Sequence, residues 1–261
     1  MTKIAVEYQH YQRSQLMKEL AAAAHGDQYV GQTSSAVYPE IRERVKMMSL
    51  PQGSRILDAG CGNGAFSIPL ASEFPFFVDG VDLGEELTIE ATRIASKAML
   101  SSKCRFFTQD FAKFSLPPSD IYDAVICVGS LYWGQPLSSI LDVWHRITRP
   151  GGELLLFLNL AYTPLNQEEK EALGETQFFS PLTVKEELAK NGWELSEWSD
   201  GTDTYIQWLK RWCQKMEDLS SNLVHEMGED KASRLIGRFT TYLKLAEKRA
   251  VCRIIVRAKA C

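Results

Sequence analysis

The stretch Ser54-Arg-Ile-Leu-Asp58-Ala-Gly60-Cys61-Gly62-Asn-Gly64-Ala-Phe66 runs an apolar strand into three alternating glycines. About twenty residues further on, a second apolar run ends in Val81-Asp82, which matches the usual strand-to-strand interval of a nucleotide-binding βαβ unit. Glycines let the backbone approach a ligand closely, and a carboxylate closing the second strand can accept both hydroxyls of a ribose. The pair therefore reads as a nucleoside-type cofactor site. Asp82 has a second reading as the N-cap of a helix beginning after Gly84. Its place at a strand end, where open α/β sheets bind ligands, favours the ribose.

Charge separates the candidate cofactors. Gly60-x-Gly62-x-x-Ala65 also satisfies the dinucleotide fingerprint, which would make the chain an NAD(P)-dependent oxidoreductase. Against that, Asp58 stands close to where a pyrophosphate would lie, and Gly60 to Phe66 contains no Lys or Arg to offset the repulsion. S-adenosylmethionine (SAM) reverses the sign, because its ammonium and its sulfonium are both cations. Cys61 contributes a backbone group to this loop and no chemistry of its own.

Four motifs then follow in order: Asp58-x-Gly60-x-Gly62-x-Gly64, Asp82, Gln109-Asp110-Phe111 after a third strand, and Arg149-Pro150-Gly151-Gly152 before a fifth. Together they resemble class I SAM-dependent methyltransferases of the small-molecule type. The resemblance covers Tyr29 to Leu160 at the level of motifs and the rest of the chain at the level of layout. Upstream, Tyr29-Val30-Gly31-Gln32-Thr33 is similar to a lid segment that closes over the methionine end of the cofactor in one branch of that family.

The resemblance implies SAM as cofactor and S-adenosylhomocysteine (SAH) as its product. It places cofactor contacts at Tyr29, Gln32, Asp58, Gly60, Cys61, Gly62, Asp82, Leu83, Gln109, Asp110, Phe111, Val128 and Ser130. Asp110 and Phe111 would form the adenine site, their other reading being a simple turn. Val128-Gly129-Ser130-Leu131-Tyr132-Trp133-Gly134 stands where the family faces both methyl group and acceptor. Tyr132 and Trp133 either shape an acceptor pocket, where aromatic faces favour a cationic amine or sulfonium, or pack beneath the next helix. Tyr8 and Tyr11 resemble aromatic N-terminal lids that meet substrate, while His10 between them reads as part of a surface helix.

These residues need a frame, and the hydrophobic pattern supplies one. Residues up to about Leu50 read as helical, interrupted at Gly26-Asp27 and near Gly31. Strands are expected at 55–58, 76–82, 104–109, 124–128 and 153–158, with helices at 65–73, 85–100 and 137–148 between them. Such near-continuous apolar strands alternating with helices describe a buried parallel sheet. Pro181 opens a further helix after Ser180, Asn191-Gly192 ends it, and 193–198 is strand six. From Asp203 to Lys248 the pattern is helical, broken at Gly228, before strand seven begins at Val251.

The expected fold class is α/β. The resemblance specifies a doubly wound Rossmann-like sheet of seven strands in order 3-2-1-4-5-7-6, strand 7 antiparallel. It also implies one domain over 1–261: a helical lid at 1–50, a core at 51–202 and 249–261, and an insertion at 203–248. That insertion either covers the acceptor, with Trp208 binding substrate, or only shields a sheet edge. Its Trp- and Tyr-rich helix is more apolar on several faces than a plain shield needs.

A chain of 261 residues buries about 70 to 75% of its unfolded surface, so no disulfide or metal is needed to hold it. Its six cysteines form no Cys-x-x-Cys pair, which suits reduced thiols. The N-terminus lacks a signal-peptide stretch and no apolar run approaches membrane-span length, so a cytoplasmic location away from membranes is expected. A net charge of −4 with scattered Lys and Arg offers no footprint for nucleic acid. Lys210, Arg211 and Lys215, interleaved with Trp208 and Trp212, read as solvated cations beside an apolar helical face rather than a nucleic-acid patch.

The expected partner is a small-molecule acceptor, and the expected state is monomer or homodimer. Among four histidines no His-Asp pair stands out, so no catalytic residue is assigned, and His145 falls on the side remote from the strand carboxyl ends. Two reactions fit this reading: methyl transfer to a nitrogen, oxygen or carbon nucleophile, and non-methylating chemistry such as cyclisation on the same SAM-binding frame.

Overall fold

The computed structural model describes residues 14–114, 121–131, 136–174, 176 and 178–261. Seven strands, β1 (Arg55–Ala59), β2 (Phe77–Asp82), β3 (Cys104–Thr108), β4 (Tyr122–Val128), β5 (Thr148–Ala161), β6 (Trp193–Asp200) and β7 (Val251–Ala260), form one sheet. Their order is β3-β2-β1-β4-β5-β7-β6, with β7 antiparallel to both of its neighbours. This is the expected sheet. The order reverses at β1, which pairs in parallel with β2 on one side and β4 on the other.

Side chains alternate across the strands, so an apolar run fills two faces at once. Leu57, Val125, Cys127, Leu154 and Leu156 point to one face, where α5 (Leu137–Arg146) and α7 (Pro181–Lys190) cover them with Leu141, Trp144, Val184 and Leu188. Ile56, Ala124, Ile126, Leu155 and Phe157 point to the other. There α2 (Tyr38–Met47), α3 (Ser67–Glu73) and α4 (Glu85–Lys97) pack Ile41, Val45, Ile68, Leu70 and Ala95. Trp193 is buried and donates its indole N–H to the Leu141 carbonyl at 3.1 Å, so the ring fills the core without leaving a polar atom unpaired.

A second core is helical. The insertion folds as α8 (Thr202–Asp218), α9 (Ser220–Met227) and α10 (Glu229–Glu247). The N-terminal helix α1 (Gln15–His25), capped by Ser14 accepting from the Met17 amide at 3.1 Å, lays Leu16, Leu20 and Ala24 against it. Tyr205, Trp208, Leu209, Trp212 and Met216 on α8 complete this cluster. The lid helix and the insertion are thus one packed unit.

Several boundaries differ from expectation, most of all around β5. Residues 147 and 148 leave α5, because β5 begins at Thr148 and carries Arg149-Pro150-Gly151-Gly152 as an irregular stretch opposite Tyr122 and Ala124. A Cβ at Gly152 would run into Asp123 O at 3.0 Å, which explains a glycine in a strand. One helix, α6 (Gln167–Leu173), was not anticipated, although its capping box is plain: Asn166 Oδ1 accepts from Glu169 N at 2.8 Å and the Glu169 carboxylate accepts from Asn166 N at 2.9 Å.

Trp208 requires the clearest correction. It is 3% exposed, its ring lies 4.8 Å from that of Trp212, and its indole N–H points at His25 Nε2 at 2.9 Å. It joins α8 to α1 as a core residue instead of presenting a face to substrate. Replacing it by alanine leaves a large void, so Trp208→Ala is expected to lower stability by about 3 to 5 kcal/mol in urea denaturation. A loss below about 1 kcal/mol, the range of ordinary surface changes, would show that the ring is not holding that core.

Candidate functional site

A cleft opens where the strand order reverses, at the carboxyl ends of β1 and β4, the place where open α/β sheets bind ligands. Its walls are Gly60, Cys61, Gly62, Asn63, Ala65 and Phe66 after β1, Val128, Gly129 and Ser130 after β4, and Gln32, Thr33 and Ser34 from the lid. It encloses about 520 Å³ including its open mouth, within the range of small-molecule sites. None of these lining residues is Lys or Arg.

Asp82 organises the loop. Its Oδ2 accepts from the Gly62 amide at 2.9 Å and its Oδ1 from the Gly84 amide at 2.8 Å, so one carboxylate ties the glycine turn to the start of α4. It is not an N-cap in the ordinary sense, since the cap position is Gly84 itself. Burial pushes the Asp82 carboxyl above its usual range, against the pull of these amides. The turn is further pinned by Gly60 N and Cys61 N, which both donate to Val81 O, at 2.8 and 3.1 Å.

The glycines divide by cause. Gly60, Gly62 and Gly64 all have positive φ, at 81°, 54° and 78°, a region that L side chains rarely enter. A Cβ on Gly64 would meet Ile68, Phe106 and Ala91, and a Cβ on Gly60 would collide with the Ser130 side chain. At these two positions internal packing, rather than ligand approach, demands glycine.

Asp58 is also displaced from its expected role. It is 2% exposed, lies behind the loop rather than in the cleft, and accepts from Ser67 Oγ at 2.6 Å. Burial first, and the nearby Asp82 charge second, push its pKa up to about 7. A carboxyl so placed acts through its field and not through contact.

The lid meets the loop directly. Asn63 Nδ2 donates to Gly31 O at 3.0 Å. Gln32 is 3% exposed: its Oε1 accepts from Val30 N at 2.7 Å and its amide nitrogen donates to Gln28 O at 3.1 Å, folding the segment onto itself. Behind it stands His25, held neutral with a pKa lowered to about 4, mainly by burial and further by Arg211 and Arg253. Its Nε2 lies 3.0 Å from Ser34 O and 2.9 Å from the Trp208 indole nitrogen. These contacts are alternatives: the ring donates to Ser34 when Nε2 carries the proton and accepts from Trp208 when Nδ1 does.

The remaining expected contacts spread outward. Tyr29 sits outside the cleft lining, stacked 6.2 Å from His25. Leu83 is 48% exposed just after β2, and the Gln109 backbone N–H donates to Asp82 O at 3.0 Å. Asp110 Oδ1 accepts from Ala112 N at 2.9 Å, a side-chain turn. Phe111 packs 5.8 Å from Trp144 and close to Gly60. Cys61 is a buried thiol pushed well up, chiefly by burial. His145 stands edge-on to Trp193 at 5.6 Å, away from the cleft. Tyr8, His10, Tyr11, Tyr132 and Trp133 lie outside the described residues.

The arrangement fits SAM on the structure's own evidence. Two buried carboxyls of raised pKa beneath a loop free of cations favour a ligand that brings positive charge, and disfavour a pyrophosphate.

Comparison with known proteins agrees. Residues 56–152 match the methyltransferase domain family. A 27-O-demethylrifamycin SV methyltransferase of Amycolatopsis mediterranei is 32% identical over 116 residues, 42% of this chain and 40% of that protein. An S-adenosyl-L-methionine-dependent Diels-Alderase of Talaromyces variabilis is 34% identical over 138 residues, 52% of this chain and 47% of that one. The chain thus spans less than half the length of these relatives. The cyclopropane synthase MmaA2 from Mycobacterium tuberculosis superposes with a TM-score of 0.78 at 17% identity, covering 95% of each chain.

The two buried titrating groups have opposite effects on stability. His25 has its folded pKa below the unfolded value of 6.5, so the unfolded chain binds more protons between pH 4 and 6.5 and this contribution rises with pH. Asp58 has its folded pKa above 3.8, so the folded chain binds more protons up to about pH 7 and this contribution falls as pH rises. Asp58→Asn removes the falling contribution of Asp58, while His25 and the raised Asp82 carboxyl titrate in both proteins. The variant's stability should therefore climb more steeply from pH 4 to pH 6.5 than that of the wild type, as urea titrations at both pH values would report. A variant as flat as the wild type would contradict the assignment.

Proposed function

This chain belongs to the class I SAM-dependent methyltransferases, and from that premise we propose that it transfers the SAM methyl group to a small-molecule acceptor held beside the Gly60–Ser130 cleft. The observation that carries the reading is Asp82: a buried carboxylate at the end of β2, aimed into a positive-φ glycine turn at the switch point of the sheet. With two amides bound, it retains lone pairs for two ribose hydroxyls.

In this reading Gly62 and Ser130 flank the cofactor and Gln32 closes over its methionine end. Asp110 and Phe111 meet the adenine edge. The field of Asp58 adds to that of Asp82 in favouring a cation. When bound, SAM supplies an electrophilic methyl on a sulfonium leaving group. The residues here then have to orient the acceptor in line and exclude water, which is worth about 7 to 11 kcal/mol as effective molarity. The core at 51–202 and 249–261 holds the cofactor, and the lid and the insertion at 203–248 enclose the acceptor.

A second reading, SAM-assisted chemistry without methyl transfer, is favoured by the similarity to the Diels-Alderase of Talaromyces variabilis. The NAD(P) reading is set aside, because the cleft lining offers no cation to a pyrophosphate.

Incubation with methyl-labelled SAM and a metabolite extract separates the readings. Labelled product appearing in step with SAH supports methyl transfer, whereas a cyclised product without SAH formation supports the second reading. On the cofactor side, Asp82→Ala is expected to weaken SAM binding by about 2 to 4 kcal/mol, through loss of two charge-assisted hydrogen bonds, as read by calorimetry on the folded variant. Unchanged affinity would remove Asp82 from the site.

A further inference from the structure

We propose that Arg253 receives a carboxylate carried by the acceptor; the proposal rests on the methyl-transfer site argued above and names the class of substrate that it takes. Arg253 lies opposite Asn159 in the β5–β7 ladder and is 4% exposed. Its partners among the described residues are all neutral. Nε donates to Asn159 Oδ1 at 3.0 Å, Nη2 donates to Ser35 Oγ, and the guanidinium lies 4.6 Å from the centre of the Tyr205 ring. Nη1 bonds to none of the described residues.

The same strand provides the contrast. Four residues on, and on the same face, Arg257 is also buried, but it has two carboxylates, Glu153 at 3.2 Å and Glu197 at 3.5 Å. Arg257 lies farther from the cleft along β7, and its charge is balanced by these two carboxylates. Arg253 is at the cleft end, and among the described residues no carboxylate faces its guanidinium, only the π face of Tyr205. A buried charge is costly unless an opposite charge or a full set of hydrogen bonds compensates it. Holding Ser35 and Asn159 would need only neutral donors, so the positive charge calls for an anion that the described residues do not supply, and the proposal takes it to be the acceptor's carboxylate.

Position supports this. Ser35 follows Ser34 of the cleft wall, and Gly129, also in that wall, donates to the carbonyl of Phe157, two residues before Asn159 on β5. Arg253 therefore stands directly behind the wall where β4, β5 and the lid meet. Arg211 and Arg253 also help to push His25 down, which marks this corner as positive within a chain of net charge −4. One guanidinium balances one carboxylate, whereas a phosphate dianion would leave excess negative charge buried.

The test uses the full chain saturated with SAH, whose binding is measured first. Benzoate, benzamide and inorganic phosphate are then titrated into the wild type and Arg253→Met. Benzoate should bind about tenfold or more tightly than benzamide, and this ratio should fall to near one in Arg253→Met while SAH affinity changes less than about twofold. Equal binding of benzoate and benzamide to the wild type would overturn the proposal, as would a preference for benzoate that survives in Arg253→Met. Phosphate competing as well as benzoate would overturn the substrate class. If Arg253→Met does not fold, the wild-type ratio decides, and Arg253→Lys should retain a weakened preference because it keeps the charge without the fork. Failure of SAH to bind would instead sink the methyl-transfer reading, and the benzoate ratio on the free chain would still judge Arg253.

Discussion

Two backbone amides, those of Gly62 and Gly84, converge on the carboxylate of Asp82, and the shape of the cleft follows from that convergence. Without it, the glycine turn after β1 and the start of α4 after β2 would have no common anchor. Because the carboxylate is buried, it holds both amides strongly, and because a carboxylate accepts about four hydrogen bonds, it does so with capacity left over. The same burial raises its pKa and, with Asp58 behind it, makes the loop a place where positive charge is welcome.

The site is electrostatically two-sided. Carboxyls lie under the glycine turn, and guanidiniums lie behind the lid, where Arg211 donates to Ala24 O at 2.6 Å and Arg253 reaches Ser35. Between them His25 stays neutral and carries the mechanical link, touching Gln32 and Ser34 of the cleft wall on one side and Trp208 of the insertion on the other. Lid and insertion share one core, so a change in packing at Trp208 is felt at Ser34 through a single ring. In physical terms this gives the insertion a route to the cleft wall through the lid.

The sheet was legible because its evidence is local. Strand and helix periods, the glycines, and Asp82 at a strand end all lie within short windows, and the order of strands is what the family resemblance carried by those motifs implies. What was not legible depends on distant segments. Asp58 is withdrawn from the cleft by Ser67 nine residues later, once α3 folds back over β1. The demand for glycine at position 60 comes from Ser130, seventy residues away in sequence. Trp208 matched an apolar helical face, but only the presence of α1 turns that face into a core. Ser35, Asn159 and Arg253 carry no shared motif at all: the sheet register brings Asn159 to Arg253, and the fold of the lid brings Ser35. The capping box of Asn166 and Glu169 was visible in the sequence and is the signal that would have found α6.

In the function proposed above, the turn around Gly62, anchored by Asp82, is the cofactor platform. Calorimetric titration of SAH into Gly62→Val tests it most directly, because a branched side chain is placed on a backbone of φ 54° at the cleft wall, beside the amide that Asp82 holds. SAH binding should be lost while circular dichroism keeps the native signature. Normal SAH affinity in a folded Gly62→Val protein would contradict it.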